Sequence, residues 1–174
     1  GALVFVNPLF SCLAGVSDTH SFTPLWKPKF ISNLVAENRC FLSGLACDQK
    51  KLSYVTAYSA SDAPQGWKGN LNGGIVIDLA TNENIATGLS LPQSPRVYQN
   101  KLWLLNSGTG EFGYIDISNG KFVAVAFLPG YLKGLTFIGD YAIIGSSLIQ
   151  PDDVFGSLAF FKKIGDISKQ LNGL

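Results

Sequence analysis

Arg39, Arg96 and Lys133 are the side chains whose type and spacing best suit chemistry. Each stands just before, or at the start of, a short apolar run. The runs open alike, as Ser43-Gly44-Leu45-Ala46, Ser94-Pro95-Arg96-Val97 and Lys133-Gly134-Leu135-Thr136. Three cations brought to one place would hold an anion, with two guanidinium forks and one ammonium point charge as donors. Glu37 and Glu111 are placed to neutralise them. The plainer alternative is that each cation ties one repeat to the next through a carbonyl or a carboxylate.

Other candidate chemistry is sparse. The only histidine, His20, sits in the polar stretch Ser17-Asp18-Thr19-His20-Ser21, and no G-x-S-x-G accompanies it. It reads as a surface-loop residue rather than the base of a triad. Ser107-Gly108-Thr109-Gly110-Glu111 looks like a phosphate cradle but lacks the lysine and the following helix that a cradle needs. A strand follows instead, so it reads as a tight hairpin, as does Gly69–Gly74. Asp152-Asp153, after a proline, reads as a turn or helix cap rather than a calcium ligand set. Cys12, Cys40 and Cys47 have no metal-site spacing. They read as three buried, unbridged thiols in a reducing compartment, the cytoplasm or an organelle interior. A Cys40–Cys47 bridge would be awkward because the two flank one short strand-turn. No cofactor or metal is expected, and the residue set leans away from an enzyme.

The elements that would position these groups are strands. Of 174 residues, 47% are hydrophobic and 14% charged, against about 25% charged in an average domain. That excludes a disordered chain. A net charge of +1 removes the electrostatic case for nucleic acid or a polybasic membrane anchor. Asp, Lys or Asn breaks every apolar run well before 18 residues, so no transmembrane helix is expected. The chain opens at Gly1, without methionine, inside an apolar run. It reads as a processed protein, a tag remnant or a fragment, with no signal peptide in view.

Strand-like runs recur at Ala2–Val6, Lys51–Tyr58, Gly74–Leu79, Asn84–Leu89, Val97–Leu105, Phe112–Ile117, Lys121–Leu128, Gly134–Ile138, Tyr141–Gly145 and Ser157–Phe161. Turn residues separate them. Only Ile164–Leu171 has a short helical pattern. Three repeat units begin at Gly44, Pro95 and Gly134. Each has a short strand, a turn and an apolar return strand, and the first two share a second hairpin. Four short antiparallel strands per 40 to 50 residues is the signature of a β-propeller blade. The expected fold is all-β, a partial propeller-like array of about three four-stranded blades. The divisions are an N-terminal segment 1–42, blades over 43–91 and 92–130, and a blade with a C-terminal tail over 131–174. A β-sandwich is the alternative.

Leu9–Ala14, Pro24–Ser32, Glu37–Ala46, Tyr54–Ala57, Gly66-Trp67, Gly73-Gly74, Leu89–Arg96, Leu102–Glu111 and Leu128–Leu135 together resemble a bacterial and cyanobacterial propeller-like family, a conserved domain of unknown function. The likeness runs from about Val4 to Ser147. It implies a longer parent fold, with C-terminal blades missing here. It also implies departures from the family pattern: histidines replaced at Phe41 and Gln93, Asp by Asn38, Asn by Ser43 and Arg by Lys133. In a propeller such positions face the central funnel, so the resemblance implies a degenerate member kept for binding or assembly.

Trp26, Phe30, Phe155, Phe160 and Phe161 lie outside the repeated strands and are the candidate contact surface for a protein partner or a second copy. Packing under a long loop is their alternative use. The leading expectation is a non-catalytic binding or assembly module, a subunit of a larger complex. The alternative is a small-molecule-binding enzyme domain with an anionic ligand in the funnel.

Overall fold

Alternating apolar residues bounded by residues that accept positive φ produce thirteen strands and one short helix among the described residues. The computed structural model describes residues 2–150, 154–166, 169–170 and 173. The first sheet joins β1 (Val4–Asn7), β2 (Cys12–Gly15) and β3 (Thr23–Trp26). The second orders β4 (Leu42–Asp48), β5 (Lys51–Ala57), β6 (Gly74–Asp78) and β7 (Glu83–Leu89) in sequence. The third repeats that order with β8 (Pro92–Tyr98), β9 (Lys101–Asn106), β10 (Glu111–Asp116) and β11 (Lys121–Phe127). The fourth is a hairpin of β12 (Tyr131–Ile138) and β13 (Tyr141–Ser147), and α1 (Ala159–Ile164) follows. All strand pairs are antiparallel.

The four-strand repeat of the first two units is present. The third unit has two strands rather than four among the described residues. Ser157–Phe161, expected as a strand, is a turn leading into α1, where Phe160 and Ile164 recur at helical spacing and bury one face. The helix therefore lies earlier than the expected 164–171, and residues 167, 168 and 171 of that range lie outside the described residues, as does Asp152-Asp153. The run Val97–Leu105 is divided at Gln99 and Asn100, both at positive φ (48° and 59°). Two consecutive positive φ values make the tight turn that suits twisted strands, and Gln49 and Lys50 repeat it between β4 and β5. β2 and β3 were not among the expected strands.

The period of two sends neighbouring side chains to opposite faces. Val55, Ile75 and Ile77 pack with Leu13, Ile31 and Cys40 of the N-terminal region. Val76, facing the other way, packs with Leu102, Leu104 and Ile115 of the third sheet. Leu105 and Phe112 turn onward to Leu132 and Leu135. The sheets thus stack face to face in chain order. Their first strands form a continuous line of contacts, β1 to β4, β4 to β8 and β8 to β12. Each repeat's first strand also carries a register break at the same place: between Leu42 and Gly44, Gln93 and Arg96, and Leu132 and Leu135. Such bulges bend a strand and re-aim its side chains.

Candidate functional site

The first strands bring the residues beside their bulges to one cavity of about 300 Å³. Its lining includes Phe41 just before β4, Ser43 from β4, Gln93 from β8, and Tyr131 and Lys133 from β12. Tyr58, just past β5, Trp67, in a short helical turn, and Phe155 complete its aromatic wall. The Phe41 and Tyr58 rings stack 4.3 Å apart at 6°, and Trp67 meets both edge-on. Phe41 holds φ at 50°. That is a costly conformation for a bulky residue, and it faces this cavity.

A polar triangle sits inside this wall. Gln93 Nε2 donates to the Tyr58 hydroxyl at 2.7 Å and to the Tyr131 hydroxyl at 2.6 Å, and the two hydroxyls are 2.8 Å apart. Gln93 is 6% exposed and Tyr58 4%. Burial, then the adjacent Tyr131, pushes the Tyr58 phenol far above its ordinary range, and burial raises Tyr131 as well. Both phenols are neutral at physiological pH. The triangle can donate hydrogen bonds, but it offers no base to take a proton. Ser43 Oγ donates to the Pro92 carbonyl at 2.6 Å and lies 2.9 Å from Thr56 Oγ1, fixing β4 to β8. Ser94, at the matching bulge, accepts from the Gly134 amide at 3.0 Å and fixes β8 to β12.

The expected cluster of cations is divided. Arg96 and Lys133 are exposed and line one shallow cavity of about 300 Å³ with Gly134, Thr136 and Ile143. Lys133 lines the aromatic cavity as well. Arg96 donates to the Pro95 carbonyl at 2.8 Å. Arg39 lines neither cavity. It bonds Glu37 at 2.8 Å, Asp62 at 2.7 Å and Ser32 at 3.0 Å, tying the N-terminal region to the loop after β5. Hydrogen bonds from Ser32 and Arg39 hold the Asp62 carboxyl below its ordinary range. Glu111 accepts from Thr109 at 2.7 Å and from Lys163 of α1 at 2.6 Å, so it anchors the helix.

Of the aromatic residues offered as contact surface, Phe160 is fully buried with Leu91, Leu158 and Ile164. Phe155 and Phe161 are half-buried around the same cluster, and Trp26 and Phe30 pack on the cluster around Leu13 and Ile31. His20 is exposed in its loop, 2.9 Å from Thr19 Oγ1. None of the three cysteines is bridged. Cys47 is exposed rather than buried, because its position on β4 lies next to the solvent-facing turn. Residues 107–109 form a helical turn inside the β9–β10 hairpin. Among the described residues no group of three His, Cys, Asp or Glu side chains is placed to hold a metal ion, and no helix is long and apolar enough to cross a membrane. Tyr58 and Tyr131 are not among the site candidates of the sequence, and Trp67 enters there only in the pair Gly66-Trp67. Their signal was position, since both tyrosines stand at strand ends beside a bulge.

Stacked antiparallel sheets, joined by their first strands around an aromatic cavity, define this chain as a mostly-β protein. It belongs to the family described as a domain of unknown function (DUF4915), which matches residues 1–171. No curated protein matches it.

Proposed function

We propose that this chain is a non-catalytic assembly module of propeller-like architecture, a degenerate relative within its family, that joins another copy of itself through the open edge of its β12–β13 sheet. The observation carrying this reading is β13. In the second and third sheets the second strand has a partner on each side, β6 for β5 and β10 for β9. β13 pairs with β12 on one side. On the other, Ser146 exchanges backbone hydrogen bonds with Gly173 at 2.7 and 3.1 Å. Toward Tyr141, no strand covers it among the described residues.

The uncovered stretch is apolar. Tyr141 is 78% exposed and Ile143 36%, and Ile138 across the turn is 64% exposed. The outermost strand β11 adds Val125 at 56% and Phe127 at 43%. An unpaired, apolar edge with few charges is a template for another strand. A net charge of +1 opposes association weakly. Phe155, Phe160 and Phe161 pack against the chain's own core, which favours β13 over them as the contact. Sedimentation at micromolar concentration tests the proposal. Association is expected, and a monodisperse monomer would remove it.

A further inference from the structure

We infer that the aromatic cavity at the first strands binds a small aromatic carboxylic acid, its ring between the aromatic walls and its carboxylate held by Lys133 and the tyrosine–glutamine triangle. This site is independent of the open edge of β13.

The triangle of Tyr58, Gln93 and Tyr131 has three contacts. It owns four hydrogens, two on the amide and one on each phenol. At least one donor is therefore left over, whichever way the amide is turned. Gln93 is more than nine-tenths buried. Buried polar groups are normally satisfied, so a leftover donor at a cavity wall calls for an acceptor from outside the chain.

Charge then selects the acceptor. Lys133 lines the same cavity and makes no ion pair among the described residues. Glu37 and Glu111, the carboxylates expected to neutralise the cations, are engaged by Arg39 and Lys163. Among the described residues no Asp or Glu lines the cavity. One cation suits one negative charge, which favours a carboxylate over the higher charge of a phosphate. Shape selects the body of the ligand. Phe41, Tyr58, Trp67 and Phe155 present aromatic surface. A volume of about 300 Å³ is at the small end of ligand pockets, enough for a single ring.

Isothermal titration of the full chain with benzoate, benzamide and inorganic phosphate tests this, with amide NMR following the Trp67 indole and Gln93 side-chain signals. Benzoate is expected to bind saturably and to move both signals. Benzamide and phosphate are expected to bind at least about tenfold more weakly, the worth of a charge-assisted hydrogen bond. Lys133→Met should weaken benzoate by a similar factor, and Tyr131→Phe should weaken it too. Lys121→Met, on β11 away from the cavity, should leave it unchanged. Lys133 is exposed, so its variant keeps the test valid even if Tyr131→Phe fails to fold. Absence of saturable benzoate binding, equal binding of benzamide, tighter binding of phosphate, or indifference to Lys133→Met would overturn the inference.

Discussion

Gly44 lies directly against Pro95: a Cβ placed on Gly44 would stand 2.3 Å from the proline Cδ. The two occupy matching bulges of β4 and β8, so adjacent repeats approach closely where these small and proline residues meet. A pyrrolidine ring cannot swing aside as a long side chain can. Gly44→Ala should therefore destabilise the chain by about 1–3 kcal/mol, the usual cost of overpacking. Gly69→Ala meets nothing within 4 Å and should stay within about 0.5 kcal/mol of the parent. Urea denaturation of both variants checks this, and equal losses would contradict the close approach.

The thiols should separate by reactivity. Burial pushes Cys40 up to about 11 and also raises Cys12, so both remain protonated thiols in the folded chain. Cys47 is exposed. Titration with a disulfide reagent at neutral pH should label one thiol rapidly and three in denaturant. Rapid labelling of all three in the native state would show that the cluster around Leu13 and Cys40 is not closed.

The helix α1 should loosen in acid. Burial pushes the Glu111 carboxyl up, but Lys163 and Thr109 together hold it below its ordinary value of 4.5. A depressed acid stabilises the fold above its unfolded pKa and loses that contribution as pH falls through the folded one. The partly exposed pair is worth no more than about 1 kcal/mol. Hydrogen exchange in α1, corrected for intrinsic rates, should therefore accelerate below about pH 4.5. Glu111→Gln should show the faster exchange already at pH 7 and lose the pH dependence.

Arg39 and Asp62 should act as a structural unit. Arg39→Met and Asp62→Asn should each lower Tm, and the double variant should lower it by less than the sum of the two, since both remove one contact. Additive losses in a thermal series would separate the two residues.

The strand content and the two complete four-strand units were legible because alternation of apolar residues and turn chemistry repeat along the chain. Gly44, Pro95 and Gly134 marked the bulges for the same reason. β2 escaped notice because Cys-Leu-Ala-Gly is buried throughout and shows no alternation. The start of α1 resembles a strand in sequence because Phe160 and Phe161 are adjacent, and a two-ring run carries no period. The cations illustrate a deeper limit. Arg39 matches Arg96 and Lys133 in sequence position, yet Asp62 and Glu37 draw it away, and those contacts depend on where a loop returns. The aromatic cavity was half legible, through Phe41, Ser43, Gln93 and Lys133. Tyr58 and Tyr131 join it only through tertiary packing.

Sedimentation velocity of the full chain, compared with Ala142→Pro, tests the assembly role most directly. The Ser146 amide points away from β12, toward Gly173. Alternation along the strand puts the Ala142 amide on the same open side. Proline there removes an edge donor while leaving the β12 ladder intact. The account predicts that the parent chain associates at micromolar concentration and that Ala142→Pro, with an unchanged circular dichroism spectrum, sediments as a monomer. A parent chain that stays monomeric, or a folded Ala142→Pro variant that associates as strongly as the parent, would contradict it.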